Sequence, residues 1–164
     1  VGQWAGQMLA SRGAEVIMIG RHEDRLAHFK QGETMLENEG SWVEAIKEQF
    51  PDGIQVGVDT VGSLVVMDQL RDCMRRFAHL VSAGFYGTED CMALQPPRYK
   101  ELSIDLVSGA TPDRLEQTMD LVAKGVLETI PLITHRFPVA QAAEAWELIE
   151  TKKEPVMGVV LEWT

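Results

Sequence analysis

The sequence predicts an α/β fold organised around a doubly wound parallel sheet, and two observations carry that expectation. Short, apolar, β-branched runs alternate with segments of helical period along the chain, the pattern of strands joined by helical crossovers. Several of the strand segments are near-continuous in their apolarity, as befits strands covered on both faces. With 164 residues, 45% of them hydrophobic, the chain can bury a core without disulfides or metals to staple it.

Residues 1–11 place Trp4, Met8 and Leu9 at helical spacing with small Ala5, Gly6 and Ala10 between them, and Gly13 stops the helix. Residues 15–19 read as a buried strand and 21–26 as a short second helix. A polar, glycine-bearing connection over 31–40 leads to Ser41, which with Glu44 forms a capping box for a helix that buries Val43, Ile46 and Phe50. Residues 53–59 form a strand. Ser63 then caps a long helix with Val66, Leu70, Cys73, Met74 and Phe77 on one face, and strands follow over 79–83 and 99–107. Thr111-Pro112-Asp113 combines a cap, a proline at the first helical position and an acid at the positive end of the dipole. Leu115, Met119 and Val122 repeat along that helix and Gly125 ends it. A strand over 131–137, a helix over 139–149 carrying Ala142, Trp146 and Ile149, and a strand over 156–163 complete the chain.

Fifteen Lys and Arg against 25 Asp and Glu leave a net charge of −10, which repels phosphate backbones and disfavours nucleic acid and anionic membrane surfaces as partners. Cys73 and Cys91 stand apart, without Cys or His neighbours at zinc-site spacing, so a reducing, cytoplasmic setting is expected. Every apolar run falls short of the ~20 residues that span a bilayer.

In a parallel α/β sheet, ligands bind beyond the carboxyl ends of the strands. Four segments occupy such positions: Gly20-Arg21-His22, Asp59-Thr60-Val61-Gly62, Ala83-Gly84-Phe85-Tyr86-Gly87 and Val107-Ser108-Gly109. Where an acid would bind the ribose hydroxyls of NAD there is Gly20, with Arg21 beside it, which leaves room for the 2′-phosphate of NADP and supplies a planar cation for it. Arg21 also reads as a solvated surface arginine, and His22 as either a solvated helix cap or a phosphate contact. Gly62 and Gly84 serve either a turn or the close approach of a flat ligand. Val1-Gly2, with Ala5-Gly6-Gln7, matches the second half of a glycine-rich loop entering its helix, where the helix N-terminus attracts a pyrophosphate; the first strand would lie upstream.

Taken with Val58-Asp59-Thr60-Val61-Gly62 and Leu132-Ile133-Thr134-His135-Arg136-Phe137-Pro138-Val139, these segments resemble the C-terminal part of the medium-chain dehydrogenases/reductases, the zinc-type alcohol dehydrogenase superfamily. The Ala83-Gly84-Phe85-Tyr86-Gly87 run and the terminal Val159-Val160-Leu161-Glu162-Trp163 look most like the hydroxyethyl bacteriochlorophyllide dehydrogenase subgroup, with polyol and sugar alcohol dehydrogenases close to it. The resemblance implies a Rossmann-like fold and hydride transfer between a nicotinamide cofactor and an alcohol or carbonyl. It puts Val1 and Gly2 at the pyrophosphate, Gly20, Arg21 and His22 at the adenosine side, Gly62 in a strand-end turn, Ala83, Gly84 and Phe85 along the nicotinamide, and Ser108 near the same ring. NADP is the expected cofactor and NAD the alternative. The resemblance further implies a dinucleotide-binding domain over 1–126 and a segment, 127–164, that returns to an N-terminal catalytic domain. That domain would supply the proton relay and any catalytic zinc, so this chain is expected to be a fragment, inactive alone, with no zinc ligand of its own, and Ile133, Phe137, Trp146, Val159 and Leu161 are expected to present apolar surface. The whole enzyme is expected to be a homodimer.

Other chemistries lack their residues. There is no G-x-S-x-G elbow, no P-loop lysine motif, and neither Tyr86 nor Tyr99 has Lys four residues on. His135 reads as a structural histidine ahead of general base. The competing readings are a non-catalytic nucleotide-binding module and a methyltransferase-like domain for an adenosyl cofactor, the latter disfavoured by Gly20 because those sites also favour an acid at the ribose.

Overall fold

The computed structural model describes residues 1–37 and 41–163, with the side chain of Ser41 left out; the expected Ser41–Glu44 capping box therefore lies outside the described residues. In chain order the elements are α1 (Gly2–Ser11), β1 (Ile17–Gly20), α2 (Glu23–Leu26), β2 (Glu33–Leu36), α3 (Ser41–Gln49), β3 (Ile54–Asp59), α4 (Leu64–Cys73), β4 (Met74–Ser82), α5 (Gln95–Tyr99), β5 (Ser103–Leu106), α6 (Pro112–Ala123), β6 (Ile133–Pro138), α7 (Ala142–Thr151) and β7 (Gly158–Glu162). The strands form three parallel ladders, β1-β2, β3-β4-β5 and β6-β7, in a Rossmann-like α/β fold. The chain divides into two units, Val1–Leu36 with Pro112–Thr164, and Glu37–Thr111.

In the first unit, Gly6 lets α1 lie close on its neighbours: a Cβ there would stand 2.8 Å from both Met18 Cε and Phe29 Cε2. The buried Gln7 accepts the Glu128 amide at 2.8 Å, tying α1 to the start of the C-terminal segment. Leu26, Phe29, Leu127 and Ala145 are this unit's buried apolar side chains. In the second unit α3 contributes Trp42, Val43 and Ile46, α4 contributes Met67, Leu70 and Cys73, and β4 contributes Met74, Ala78 and Leu80. Ser63 caps α4 as expected, its hydroxyl accepting from the Val66 amide at 3.4 Å.

The structure departs from expectation in particular places. Residues 33–36, expected in a polar connection, form β2, because Gly32 comes so close to β1 that a Cβ would stand 2.2 Å from the Val16 carbonyl oxygen and the Glu33 amide can donate to that same oxygen at 3.0 Å. The long helix expected to reach Phe77 stops at Cys73. Lys100 donates to the carbonyls of Arg71, Asp72 and Met74 at 2.8, 3.1 and 2.7 Å, so the helix C-terminus is capped by a cation from distant sequence. Phe77 lies instead in β4, with φ of +61° and 69% exposure. The strand expected over 99–107 shortens to β5, since Gln95-Pro96-Pro97 opens α5 with proline in its first turn. The helix expected from 139 begins at Ala142 after a 3-10 turn and buries Ala145; of the residues expected to present apolar surface, Trp146 does so, at 68% exposure. Ile133, Phe137, Val159 and Leu161 are half-buried.

Replacing Lys100 tests the borrowed cap. Burial lowers its pKa, but three carbonyl acceptors hold its ammonium in place. Lys100→Met is expected to lower unfolding free energy by about 2 kcal/mol in urea titration, the range for hydrogen bonds to a charged group; a change below about 0.5 kcal/mol would show that water caps the helix equally well.

Candidate functional site

The strand-end segments fall into two groups, one in each unit. In the first unit the N-terminus of α1 begins at Val1, has no side-chain cap and carries no acid in its first turn, so the open amides there favour an anion. Gly20 ends β1, and a Cβ there would meet Leu26 Cδ2 at 3.1 Å, so Leu26 also calls for a small residue. Arg21 and His22 are exposed. His22 is the residue before α2; its carbonyl accepts from the Arg25 and Leu26 amides at 3.1 and 3.0 Å, while its imidazole makes no cap bond.

Sequence reasoning passed over Gln3 and Arg25 in this group. Gln3 Nε2 donates to the Arg25 carbonyl at 2.8 Å, yet Gln3 Oε1 and Arg25 Nε are both buried without a hydrogen-bond partner. Such an acceptor and donor are costly to leave unpaired, and they lie where the chain leaves Gly2 and Gly20. Gln3 follows Gly2 directly and Arg25 lies five residues after Gly20, but neither spacing marks them out in the sequence.

In the second unit the centre is Asp59, only 1% exposed. Its Oδ1 accepts from the Val61 amide at 2.8 Å, its Oδ2 from the amides of Gly62 and Ser63 at 3.0 and 3.3 Å and from the Tyr86 hydroxyl. Its backbone oxygen accepts from the Ala83 amide at 2.8 Å. Burial, then the bond to Asp59, pushes the Tyr86 phenol up to about 12, so it stays a donor over the range in which proteins are handled. Both lie in strand-end segments named from the sequence but were given no role there, although an Asp at a strand end followed by Gly and Ser is the signal for an Asx-type turn.

Gly62 has φ of +87°, the left-handed conformation that favours glycine. Gly84 does not, so the conformational explanation available from sequence fails there. A Cβ on Gly84 would lie 2.0 Å from the Gly62 amide nitrogen, and one on Gly62 would lie 2.1 Å from the Phe85 carbonyl oxygen. The two glycines thus serve each other's backbone. Phe85 is 90% exposed, and Ser108, also exposed, follows Val107, whose amide donates to the Ser82 carbonyl at 2.9 Å. His135 contacts Thr134 Oγ1 at 2.9 Å and Glu154 Oε1 at 3.2 Å on the β6-β7 ladder. Among the described residues no three His, Cys, Asp or Glu side chains converge to hold a metal, and no helix is long and apolar enough to cross a membrane.

This arrangement has relatives. The sequence profile of the family described as Zinc-binding dehydrogenase matches residues 1–124. The 2-desacetyl-2-hydroxyethyl bacteriochlorophyllide A dehydrogenase of Rhodobacter capsulatus is 31% identical over 105 residues, 64% of this chain and 33% of that protein. The crystal structure of AibC superposes with a TM-score of 0.85 at 25% identity, covering 100% of this chain and 50% of that one. A short chain alcohol dehydrogenase of Escherichia coli CFT073, complexed with NADH, shares the fold at a TM-score of 0.81 and 22% identity, over 95% of this chain and 48% of its own. The chain spans a third of the length of the curated relative and about half that of the solved ones. The profile match, running from residue 1 to residue 124 and so over three quarters of the chain, places this chain in the zinc-binding dehydrogenase family.

Proposed function

We propose that this chain carries the NADP(H)-binding part of an enzyme that moves a hydride between that cofactor and a small alcohol or carbonyl. The observation that carries the choice of NADP over NAD is Gly20 at the end of β1: no carboxylate is available there for a ribose diol, Leu26 crowds any side chain, and the exposed Arg21 follows directly. The relative solved with NADH supports the nicotinamide class of cofactor. In this reading the first turn of α1, with Val1 and Gly2, receives the pyrophosphate, and Arg21 and His22 face the 2′-phosphate. Gly62, Ala83, Gly84, Phe85 and Ser108 border the nicotinamide, whose chemistry when bound is to accept or release the hydride. The chain's own residues bind and orient.

Residues 127–164 are proposed to complete a catalytic domain, which accords with the exposed Trp146. The described residues bring together no set of side chains that fits a zinc ion. A cytoplasmic location rests on the two unpaired cysteines, and a homodimer on the exposed Leu106 of the edge strand β5.

Calorimetry on the intact protein tests the cofactor. NADPH is expected to bind roughly tenfold more tightly than NADH, about 1.4 kcal/mol, and Arg21→Ala to remove that preference while leaving NADH affinity in place. Tighter binding of NADH, or a preference that survives the substitution, would reject the assignment.

A further inference from the structure

We propose that Tyr86 is a positioning residue for the nicotinamide end of the cofactor, acting through Asp59 on the backbone of Gly84 and Phe85. The inference rests on the dinucleotide reading given above. The segment is pinned at both ends to one residue: the Ala83 amide donates to the Asp59 carbonyl at 2.8 Å, and the Tyr86 hydroxyl donates to Asp59 Oδ2. Only Gly84 and Phe85 lie between the two anchors, and the Phe85 side chain, projecting into solvent, does nothing to hold them. Their backbone is instead pressed onto the turn after β3, where a Cβ on Gly62 would stand 2.1 Å from the Phe85 oxygen and 2.7 Å from its nitrogen.

Asp59 does not need the phenol. Its two oxygens already accept from the amides of Val61, Gly62 and Ser63 at 2.8 to 3.3 Å, which satisfies a buried carboxylate. What the hydroxyl adds is the second anchor. Without it the segment keeps the Ala83 bond and its packing on the turn after β3 but loses its tie beyond Phe85, and the peptide groups bordering a flat ligand gain freedom that binding must then remove. Burial holds the phenol protonated to about 12, so the anchor persists at the alkaline pH at which alcohol oxidation is readily measured.

Tyr86→Phe in the intact protein is the test, with the wild type alongside. Loss of one partly buried hydroxyl is expected to lower the melting temperature by no more than about 4 °C. Affinity for adenosine 2′,5′-bisphosphate, which lacks the nicotinamide, should be unchanged. NADPH should bind about tenfold more weakly, and the fluorescence anisotropy of its bound, reduced ring should fall, because the ring is less well held. Fluorotyrosine at position 86 provides a second variant that keeps the shape of the side chain. As its more acidic phenol ionises, NADPH affinity should fall while affinity for the bisphosphate stays constant. Unchanged NADPH affinity and anisotropy in Tyr86→Phe, or equal losses for both ligands, would overturn the positioning role. Failure of the wild-type protein to bind either NADPH or NADH would instead overturn the dinucleotide reading itself.

Discussion

Asp59→Asn is expected to cost the protein about 3–5 kcal/mol of unfolding free energy, the range for breaking a buried, hydrogen-bonded charge network. The carboxylate is almost wholly buried and offers only acceptors, and four donors meet it: the amides of Val61, Gly62 and Ser63 and the hydroxyl of Tyr86. An amide side chain keeps the shape and replaces one acceptor oxygen by an NH2 group. Whichever way it is turned, that group meets backbone N–H donors that cannot rotate away. If it takes the place of Oδ2 it opposes the Gly62 and Ser63 amides, while the Tyr86 hydroxyl can turn to accept from it; if it takes the place of Oδ1 it opposes Val61. The second orientation spares more bonds, so the smaller end of the range applies if the turn can adjust around Val61. Urea denaturation of wild type and variant at the same pH measures the difference. A loss under about 1 kcal/mol would show that water enters the turn and that Asp59 is not its organising residue.

The fold was readable because its evidence is distributed along the chain. The alternation of apolar strands and amphipathic helices survives an error in any one element, and Ser63 and Pro112 marked their helix starts through chemistry that acts within a few residues. Other boundaries were set by partners far away in sequence. The end of α4 depends on Lys100, 27 residues beyond Cys73, and no glycine marks it; because Cys73 and Met74 are both buried, the apolar pattern ran on without a break. β2 depends on Val16, whose carbonyl receives the Glu33 amide, and its four residues are too few to display a period.

The candidate site was legible to a similar degree. Strand-end position pointed to Gly20, Gly62 and Gly84, since a parallel sheet dictates where its loops gather. What makes those loops rigid was not legible. The Asx-type turn at Asp59 has a local signal, but the bond from Tyr86 to Asp59 joins residues 27 apart, and no local pattern announces it. Gln3 and Arg25 were missed for a different reason. On sequence each is an ordinary polar residue of a helix, and only their burial without partners distinguishes them.

Gly84→Val is expected to abolish stable folding of the second unit or to cost more than about 3 kcal/mol, above the usual cost of overpacking because the obstruction is backbone. The β-carbon would stand 2.0 Å from the Gly62 nitrogen, 2.5 Å from its α-carbon and 2.7 Å from the Val61 carbonyl carbon. No side-chain rotation relieves such contacts. Moving the turn aside would draw the Val61 and Gly62 amides away from Asp59, so the clash and the carboxylate network are coupled and the two losses compound. Of the two roles the sequence offered for Gly84, a turn or the close approach of a flat ligand, neither names the first obstruction, which the geometry puts inside the protein. Gly84→Ala isolates that steric term, because the backbone there is outside the left-handed region and alanine brings no conformational strain of its own. Gly87→Ala is the control in the same loop: a β-carbon at 87 meets nothing within 4 Å, and φ there is again outside the left-handed range, so the change should be neutral or stabilising by about 0.5 kcal/mol. Thermal melts of the two alanine variants should therefore separate widely, with Gly84→Ala far below wild type and Gly87→Ala at or above it. If Gly84→Ala melts with the wild type and loses only nicotinamide affinity, the glycine is there for the ligand and the packing account of the two loops is wrong.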